Sequence, residues 1–389
     1  MDYFTLERFE KAVDKVHEVT KMTRLVYSDP LSQKSGNKVY IKPENTQRTG
    51  AYKVRGAYYK ISTLSDAERK TGLITASAGN HAQGVAYAAR QYGVRAVVVM
   101  PETTPLIKIE RTRALGAEVV LCGSVFDEAS AHARALAEKH GYTFVHPFDD
   151  LDVAMGQGTM MFEIVRDLPL VDTVLVPIGG GGLATGVSAF AKLLNPRIRV
   201  VGVEPAGAAC MKASLEAGAV VKLDHAATIA DGTAVLEPGR RLFPYIQRNL
   251  DGIITVEDDE LIDVFQDMTD NHKMIVEPSG LLTAAAAMHL PAADKRVVCI
   301  LSGGNMDAAV LSEVIRRSLT KRGRIRRMET VVHDLGEAAA VLELIESQHA
   351  HILYVERRPA GDDGLALALT VTAPSEDACA RIQKALEKA

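Results

Sequence analysis

The sequence predicts an α/β protein: two doubly wound, mostly parallel sheet domains with a cleft between them, followed by a small α+β module. Three observations predict it. Short apolar runs rich in β-branched residues alternate with alanine- and charge-rich stretches of roughly 10–15 residues, the rhythm of strand and crossover helix. Many of those runs are apolar on both faces, as strands inside a parallel sheet are. Beyond residue 320 the texture changes, with strands and helices in an order that suits a separate small layer. At about 150 residues per domain, 389 residues leave room for two or three domains.

The first set of elements has strands at Leu73–Ala76, Ala96–Met100, Glu118–Cys122 and Thr143–Val145, with helices at Asn80–Tyr92, Pro105–Leu115 and Phe126–His140 between them. Gly93, Gly116 and Gly141 stand where helices end in a left-handed residue. The pattern resumes with strands at Thr173–Ile178, Arg199–Val203, Gly252–Val256 and Arg296–Leu301, and helices at Gly182–Leu194, Asp258–Lys273 and Gly280–Leu290. The N-terminal stretch before Lys53 completes this second set. The predicted division is therefore 1–52 with 149–320 as a large domain, 53–148 as a small one and 321–389 as a C-terminal module. Lys321–Arg327 carries five positive charges and reads as an exposed linker, since no aromatics interleave to make a nucleic-acid surface. The module follows: strand Glu329–His333, helix Gly336–Ser347, strands His351–Arg357 and Leu365–Thr372, helix Glu376–Lys388.

Composition excludes several classes. With 45 Lys plus Arg against 49 Asp plus Glu, the net charge of −4 argues against coating nucleic acid or an acidic membrane. Four scattered cysteines, without a C-x-x-C pair, form neither a disulfide scaffold nor a zinc module and suit a reducing cytoplasm. Thr173–Ala191 is long and uncharged, but Pro177 and four glycines make it strand, loop and helix rather than a membrane span. Met1–Thr5 has no basic start or apolar run, so no secretory leader is expected. His132, His140 and His289 lie in helical patterns without metal spacing and are expected to face solvent.

Four strand-to-helix loops carry the chemistry. Gly179-Gly180-Gly181-Gly182 leaves successive N–H groups unshielded at a helix N-terminus, a phosphate cradle that needs no cationic side chain. Gly179-x-Gly181-x-x-Ala184 with Glu204 downstream also satisfies a dinucleotide fingerprint, so a nicotinamide enzyme stays open on this loop alone. Lys53, in Thr49–Gly56, is a lysine among small and aromatic residues, suited to a partly dry site where its amine acts near neutral pH. Ser77-Ala78-Gly79-Asn80-His81 offers hydroxyl, amide and N–H groups for a carboxylate, or a helix cap at Asn80. Ser302-Gly303-Gly304-Asn305 closes its strand in the same fashion.

Taken together, T-G-A-Y-K-V-R-G, A-S-A-G-N-H-A-Q-G, G-G-G-G-L and S-G-G-N resemble the fold-type II (tryptophan synthase β-like) pyridoxal-phosphate enzymes, and within them the threonine dehydratases (threonine ammonia-lyases). His146–Asp149, Ala230–Gly232 and Glu277–Gly280 add to the likeness, which runs from about Phe4 to Arg317. The resemblance implies pyridoxal 5′-phosphate joined to Lys53, which then serves as base on the substrate Cα. It places the cofactor phosphate on Gly179, Gly180, Gly181 and Gly182, the ring hydroxyl on Asn80 and the pyridine nitrogen against Ser302. The substrate carboxylate falls to Ser77, Ala78, Gly79, Asn80 and His81. The implied reaction takes L-threonine to 2-oxobutanoate and ammonia, and L-serine to pyruvate. A serine- or hydroxyaspartate-preferring dehydratase and a serine racemase are the alternatives on the same scaffold, a nicotinamide-dependent oxidoreductase and a silent amino-acid-binding regulator those outside that chemistry, and a homodimer or homotetramer is expected.

Three departures from the resemblance matter. Related racemases carry a second serine where this chain has Ala78, which leaves a two-base racemisation without one partner. Relatives that bind a divalent cation use a Glu and an Asp six residues later; here Glu204 is followed by Cys210, so Glu204 is the only metal candidate. Residues 327–389 resemble an ACT module whose usual turn is replaced by Leu335-Gly336, serving either an amino-acid effector or subunit contact. Tyr52, where relatives often have Phe, is expected to pack on the cofactor ring edge.

Overall fold

Strand Arg296–Leu301 is central in the larger sheet because Val297 to Leu301 are apolar and buried on both faces. The sheet runs Val26–Tyr27, Lys38–Pro43, Arg296–Leu301, Thr173–Pro177, Arg199–Pro205 and Gly252–Val256 from edge to edge. Only the first pair is antiparallel. The N-terminal stretch thus supplies two of its strands, Val26–Tyr27 and Lys38–Pro43. The computed structural model describes residues 2–360 and 364–387, which divide into two compact units, Met1–Asp307 and Ala308–Ala389.

The first unit also holds a four-stranded parallel sheet in the order Glu118–Leu121, Ala96–Met100, Leu73–Ala76, Thr143–Phe144. Its helices Asn80–Tyr92 and Phe126–His140 end at Gly93 and Gly141, whose φ of +64° and +70° need a residue without a Cβ. Helix Leu6–His17 is capped by Thr5 and turns Phe9, Ala12, Val13 and Val16 inward, with the Phe9 ring stacked on Phe190 at 4.2 Å. Among the described residues, no helix is long and apolar enough to cross a membrane.

Several local expectations are corrected. The helix expected over Asp258–Lys273 is regular only to Asp267 and widens into a π-turn at Met268–His272, ended by Lys273 at φ +57°. The helix expected over Gly280–Leu290 starts at Pro278, favoured at a first helical position, and passes to a 3₁₀ turn at Ala287. The basic run is not a linker: Lys321 ends helix Ala308–Lys321, Gly323 turns, and Ile325–Arg327 begin strand Ile325–Val332. Acids elsewhere in the module hold two of those charges, Arg327 pairing with Glu356 of the far strand at 2.9 Å and Arg326 with Glu376, the first residue of the last helix, at 3.1 Å. His140 and His289 are exposed as expected, but His132 is half-buried.

In the second unit, strands Ile325–Val332, Gly364–Thr372 and His351–Ala360 form an antiparallel sheet in that order. Helices Leu335–Ser347 and Glu376–Leu386 cover one face around Met328, Ile345, Leu369, Val371 and Ile382. Lys388, the expected end of the last helix, lies outside the described residues.

Candidate active site

The four loops singled out in the sequence follow four strands of the first unit and sit at their carboxyl ends, where parallel α/β sheets place ligands. Backbone contacts join the loop carrying Lys53 to the one after Arg296–Leu301. Tyr52 N donates to Ser302 O at 3.0 Å, Gly304 N to Gly50 O at 2.9 Å, and Ala51 bridges Gly303. A Cβ on Gly303 would stand 2.2 Å from Glu277 Oε1, so only glycine lets the two approach.

Lys53 opens helix Lys53–Thr63 and its amine donates to Pro147 O at 2.7 Å. Burial pushes the amine down to about 8, with the Glu277 carboxylate pulling the other way. The Tyr52 ring centroid lies 5.4 Å from Nζ, so this aromatic faces the lysine itself. His146 Nδ1 accepts from Phe148 N and Asp149 N, which shapes the turn that aims the Pro147 carbonyl. Burial and Arg134 hold His146 down at about 4, so it stays neutral in this role.

The glycine loop sits on the other side of that turn. The Phe148 ring would lie 2.2 Å from a Cβ on Gly180, and Thr233 Cα 3.1 Å from one on Gly179. Gly181 has φ +99°. No acceptor for the N–H groups of Gly179, Gly180 or Gly181 is present among the described residues, and Thr185 Oγ is buried and unpartnered one turn further on. Unfilled donors at a helix N-terminus, in a cradle any side chain would fill, fit a phosphate.

Asn80 is the first residue of its helix rather than a cap, and this helix has no side-chain cap. Its Nδ2 donates to Glu277 Oε1 at 2.6 Å, and its Oδ1 accepts from Asn305 Nδ2, which also reaches Thr49 O at 2.7 Å. Ser77 Oγ accepts from Gly79 N at 3.3 Å, and the space beside Gly79 is open. The loop thus offers uncapped N–H groups to an anion. The His81 side chain is buried, with Nε2 at 3.1 Å from Val145 O, and burial next to Lys53 lowers it to about 3. Ser302 Oγ is buried with a single long contact, 3.5 Å to Ser279 O.

Glu204 lies apart from this cluster. Its carboxylate accepts from Met211 N at 2.8 Å and Lys212 N at 2.9 Å, capping helix Cys210–Ala217. A residue so engaged is not turned to a ribose, which removes the basis of the dinucleotide reading. Among the described residues no group of three or more His, Cys, Asp or Glu could hold a metal ion. Glu277, part of the Glu277–Gly280 motif, enters the site through the sheet packing; burial and the Asp231 charge raise it to about 7. Its only signal in sequence was its place immediately before a proline-started helix.

A buried lysine with a lowered pKa, an anion cradle with unfilled N–H donors and an uncapped helix N-terminus, all at the carboxyl ends of parallel strands, suit an enzyme that handles an amine through a phosphorylated carbonyl cofactor. The chain belongs to the pyridoxal-phosphate dependent enzyme family, whose model matches residues 16–303. It is 42% identical over 353 residues to an L-threonine ammonia-lyase of Thermotoga maritima, covering 90% of this chain and 88% of that one. Among solved structures, the processed form of threonine deaminase isoform 2 from Solanum lycopersicum superposes with a TM-score of 0.77 at 42% identity, covering 81% of this chain and 94% of that one. Maize serine racemase follows with a TM-score of 0.76 at 31% identity, covering 81% and 98%.

Proposed function

We propose that the chain dehydrates and deaminates L-threonine to 2-oxobutanoate and ammonia, with L-serine to pyruvate as a second reaction. The observation that carries this reading is the Lys53 amine, lowered to about 8 and reached from the glycine cradle across the single dipeptide Pro147-Phe148. Bound pyridoxal phosphate supplies an electron sink for charge developing at the substrate Cα.

The chain's own groups do the rest. Gly179 to Gly182 hold the cofactor phosphate through backbone N–H groups, and Asn80, oriented by Glu277 and Asn305, faces the ring hydroxyl. Ser302 faces the ring nitrogen. A neutral hydroxyl there leaves that nitrogen unprotonated and favours elimination over transamination. Ser77 and the backbone of Ala78, Gly79, Asn80 and His81 hold the substrate carboxylate. Lys53 takes the Cα proton and, as the ammonium, returns it to the departing β-hydroxyl, which leaves as water; the enamine product released then takes up water to give the 2-oxo acid and ammonia. Burial lowers its pKa to about 8, which raises the share of free Lys53 amine able to accept that proton as pH rises through that value. Racemisation is disfavoured because Ala78 has no hydroxyl to serve the opposite face.

We infer the same division of labour for the rest of the chain: a small domain of 53–148 that presents the carboxylate site, and a C-terminal module for effector binding or subunit contact in a cytoplasmic homodimer or homotetramer. Supporting this, the second unit exposes Leu335, Leu353, Tyr354 and Val355, and holds a cavity of about 520 Å³ lined by Leu342, Ile345, Glu346, His349 and Ile352. A panel of branched amino acids in a rate assay tests the effector role.

The primary test is the visible spectrum of the purified protein with L-threonine, read alongside 2-oxobutanoate release. A cofactor band that responds to L-threonine with product formed supports the reading. A band that responds only to L-serine, or D-serine as product, moves the chain to the serine-preferring or racemase alternatives.

A further inference from the structure

Four buried charges meet around Arg55, two residues after Lys53. Arg55 donates through Nε and Nη2 to Glu44 at 2.8 Å each, and through Nη1 and Nη2 to Glu163 at 2.7 and 3.1 Å. Glu163 also accepts from Lys42, and its Oε1 meets His17 Nε2 at 3.0 Å. The side chains of Arg55, Lys42, Glu44 and Glu163 are wholly buried. Desolvating four charges offsets most of what their attraction contributes, so apolar packing would stabilise this interior about as well. What the network adds is geometry. A guanidinium held by two carboxylates through paired N–H groups has one orientation.

Its placement gives that geometry a purpose. Glu44 and Arg55 are the two ends of the segment that carries Lys53. The middle of the segment is held by the backbone contacts of Gly50, Ala51 and Tyr52 with residues 302–304. Glu163, on helix Met160–Asp167, ties the Arg55 end to the body of the larger sheet, and Gly56 N donates to Gln157 Oε1 at 3.0 Å beside it.

We propose that Arg55 is a positioning residue for Lys53: by clamping Glu44 and Glu163 it fixes both ends of the 44–55 segment and sets the direction in which the Lys53 amine meets the cofactor. The proposal rests on the reading of Lys53 as the lysine that bonds the cofactor. Arg55→Lys keeps the charge but has no planar fork, so Glu44 and Glu163 cannot both be held.

The test uses the holoenzyme. Visible circular dichroism per bound cofactor, which reports how rigidly the cofactor is oriented, is measured with kcat, KM and the thermal midpoint. Arg55→Lys is expected to retain cofactor, lose at least about half of that signal and drop about 10- to 100-fold in kcat with little change in KM for L-threonine. Asp172→Asn is the control; it breaks the Arg296 pair at the opposite, amino ends of the strands and should lower the midpoint without changing the signal. A folded Arg55→Lys with full dichroism per cofactor and unchanged kcat overturns the proposal. If Arg55→Lys does not fold, Glu44→Gln releases one end only: the same loss of signal supports the proposal and an unchanged signal overturns it. Lys53→Ala separates the two claims. If it keeps the lysine-bound band, the reading of Lys53 fails. If it loses the band while Arg55→Lys keeps full dichroism, only the positioning role fails.

Discussion

Asn80 donates to Glu277 across 2.6 Å, linking the helix that follows strand Leu73–Ala76 of the four-stranded sheet to the N-cap of helix Pro278–Ala286, which packs on the six-stranded one. The carboxylate at this link also acts on Lys53, whose pKa it raises against the lowering effect of burial.

Removing that charge moves the pH dependence in a defined direction. In Glu277→Gln the amide still accepts from Asn80, but nothing now favours the ammonium form of Lys53. Its pKa falls below about 8, so the rise of activity with pH moves to lower pH. A kcat/KM profile from pH 6 to 9 on the variant checks this, and a limb that stays put or moves to higher pH contradicts it.

The glycine cradle has no room for a methyl group at Gly180. A Cβ there would lie 2.2 Å from the Phe148 ring, and Phe148 is tied by sequence to the carbonyl that receives Lys53. Gly180→Ala should therefore weaken cofactor binding by about tenfold or more, about 1.4 kcal/mol. Cofactor retained after dialysis measures it, and activity should return at raised pyridoxal phosphate.

Ala78→Ser places a hydroxyl in the carboxylate loop beside the open space at Gly79. The variant should form detectable D-serine from L-serine while its threonine dehydration stays within about threefold. Chiral chromatography of the product mixture decides the matter; no D-serine at any enzyme concentration means the missing base is not what separates this chain from a racemase.

Glu204 makes a prediction about stability. Burial raises its folded pKa to about 7 from an ordinary 4.5. The folded state therefore binds more protons than the unfolded state between those values, and stability falls as pH rises through that window. Glu204→Gln mimics the protonated acid and should match the parent below about pH 4 but exceed it by about 3 kcal/mol at pH 8. Denaturant unfolding at the two pH values reads the difference, and equal gaps at both would count against it.

Glycine and alternation made much of this legible. The strands from Leu73 to Met100 and from Thr173 to Leu301 appear at their expected places, since a parallel strand buried on both faces is a continuous β-branched run. Lys38–Pro43 escaped notice because its lysines break that run, yet Lys42 is wholly buried through its pairing with Glu163. The same blindness covered the charge network: Glu44, Arg55 and Glu163 read as surface residues until the fold brings them together. The basic run at 321–327 misled for a related reason, two of its arginines being partners of acids roughly 30 to 50 residues away, one on the far strand and one on the last helix. The role of Pro147 could not be read at all, because the group that matters is a backbone carbonyl.

The order of strands in the larger sheet has a consequence for how the chain is made. Lys38–Pro43 lies between Val26–Tyr27 and Arg296–Leu301, so its long-range neighbour is the last strand of the first unit to leave the ribosome. The four-stranded sheet, by contrast, is drawn wholly from 73–144 and can close early. Lys53 must then wait through the synthesis of some 250 further residues before Ser302 to Gly304 arrive to pin its loop. A nascent chain stopped short of residue 302 holds every glycine of the cradle and the lysine itself, and still has no framework in which to capture the cofactor.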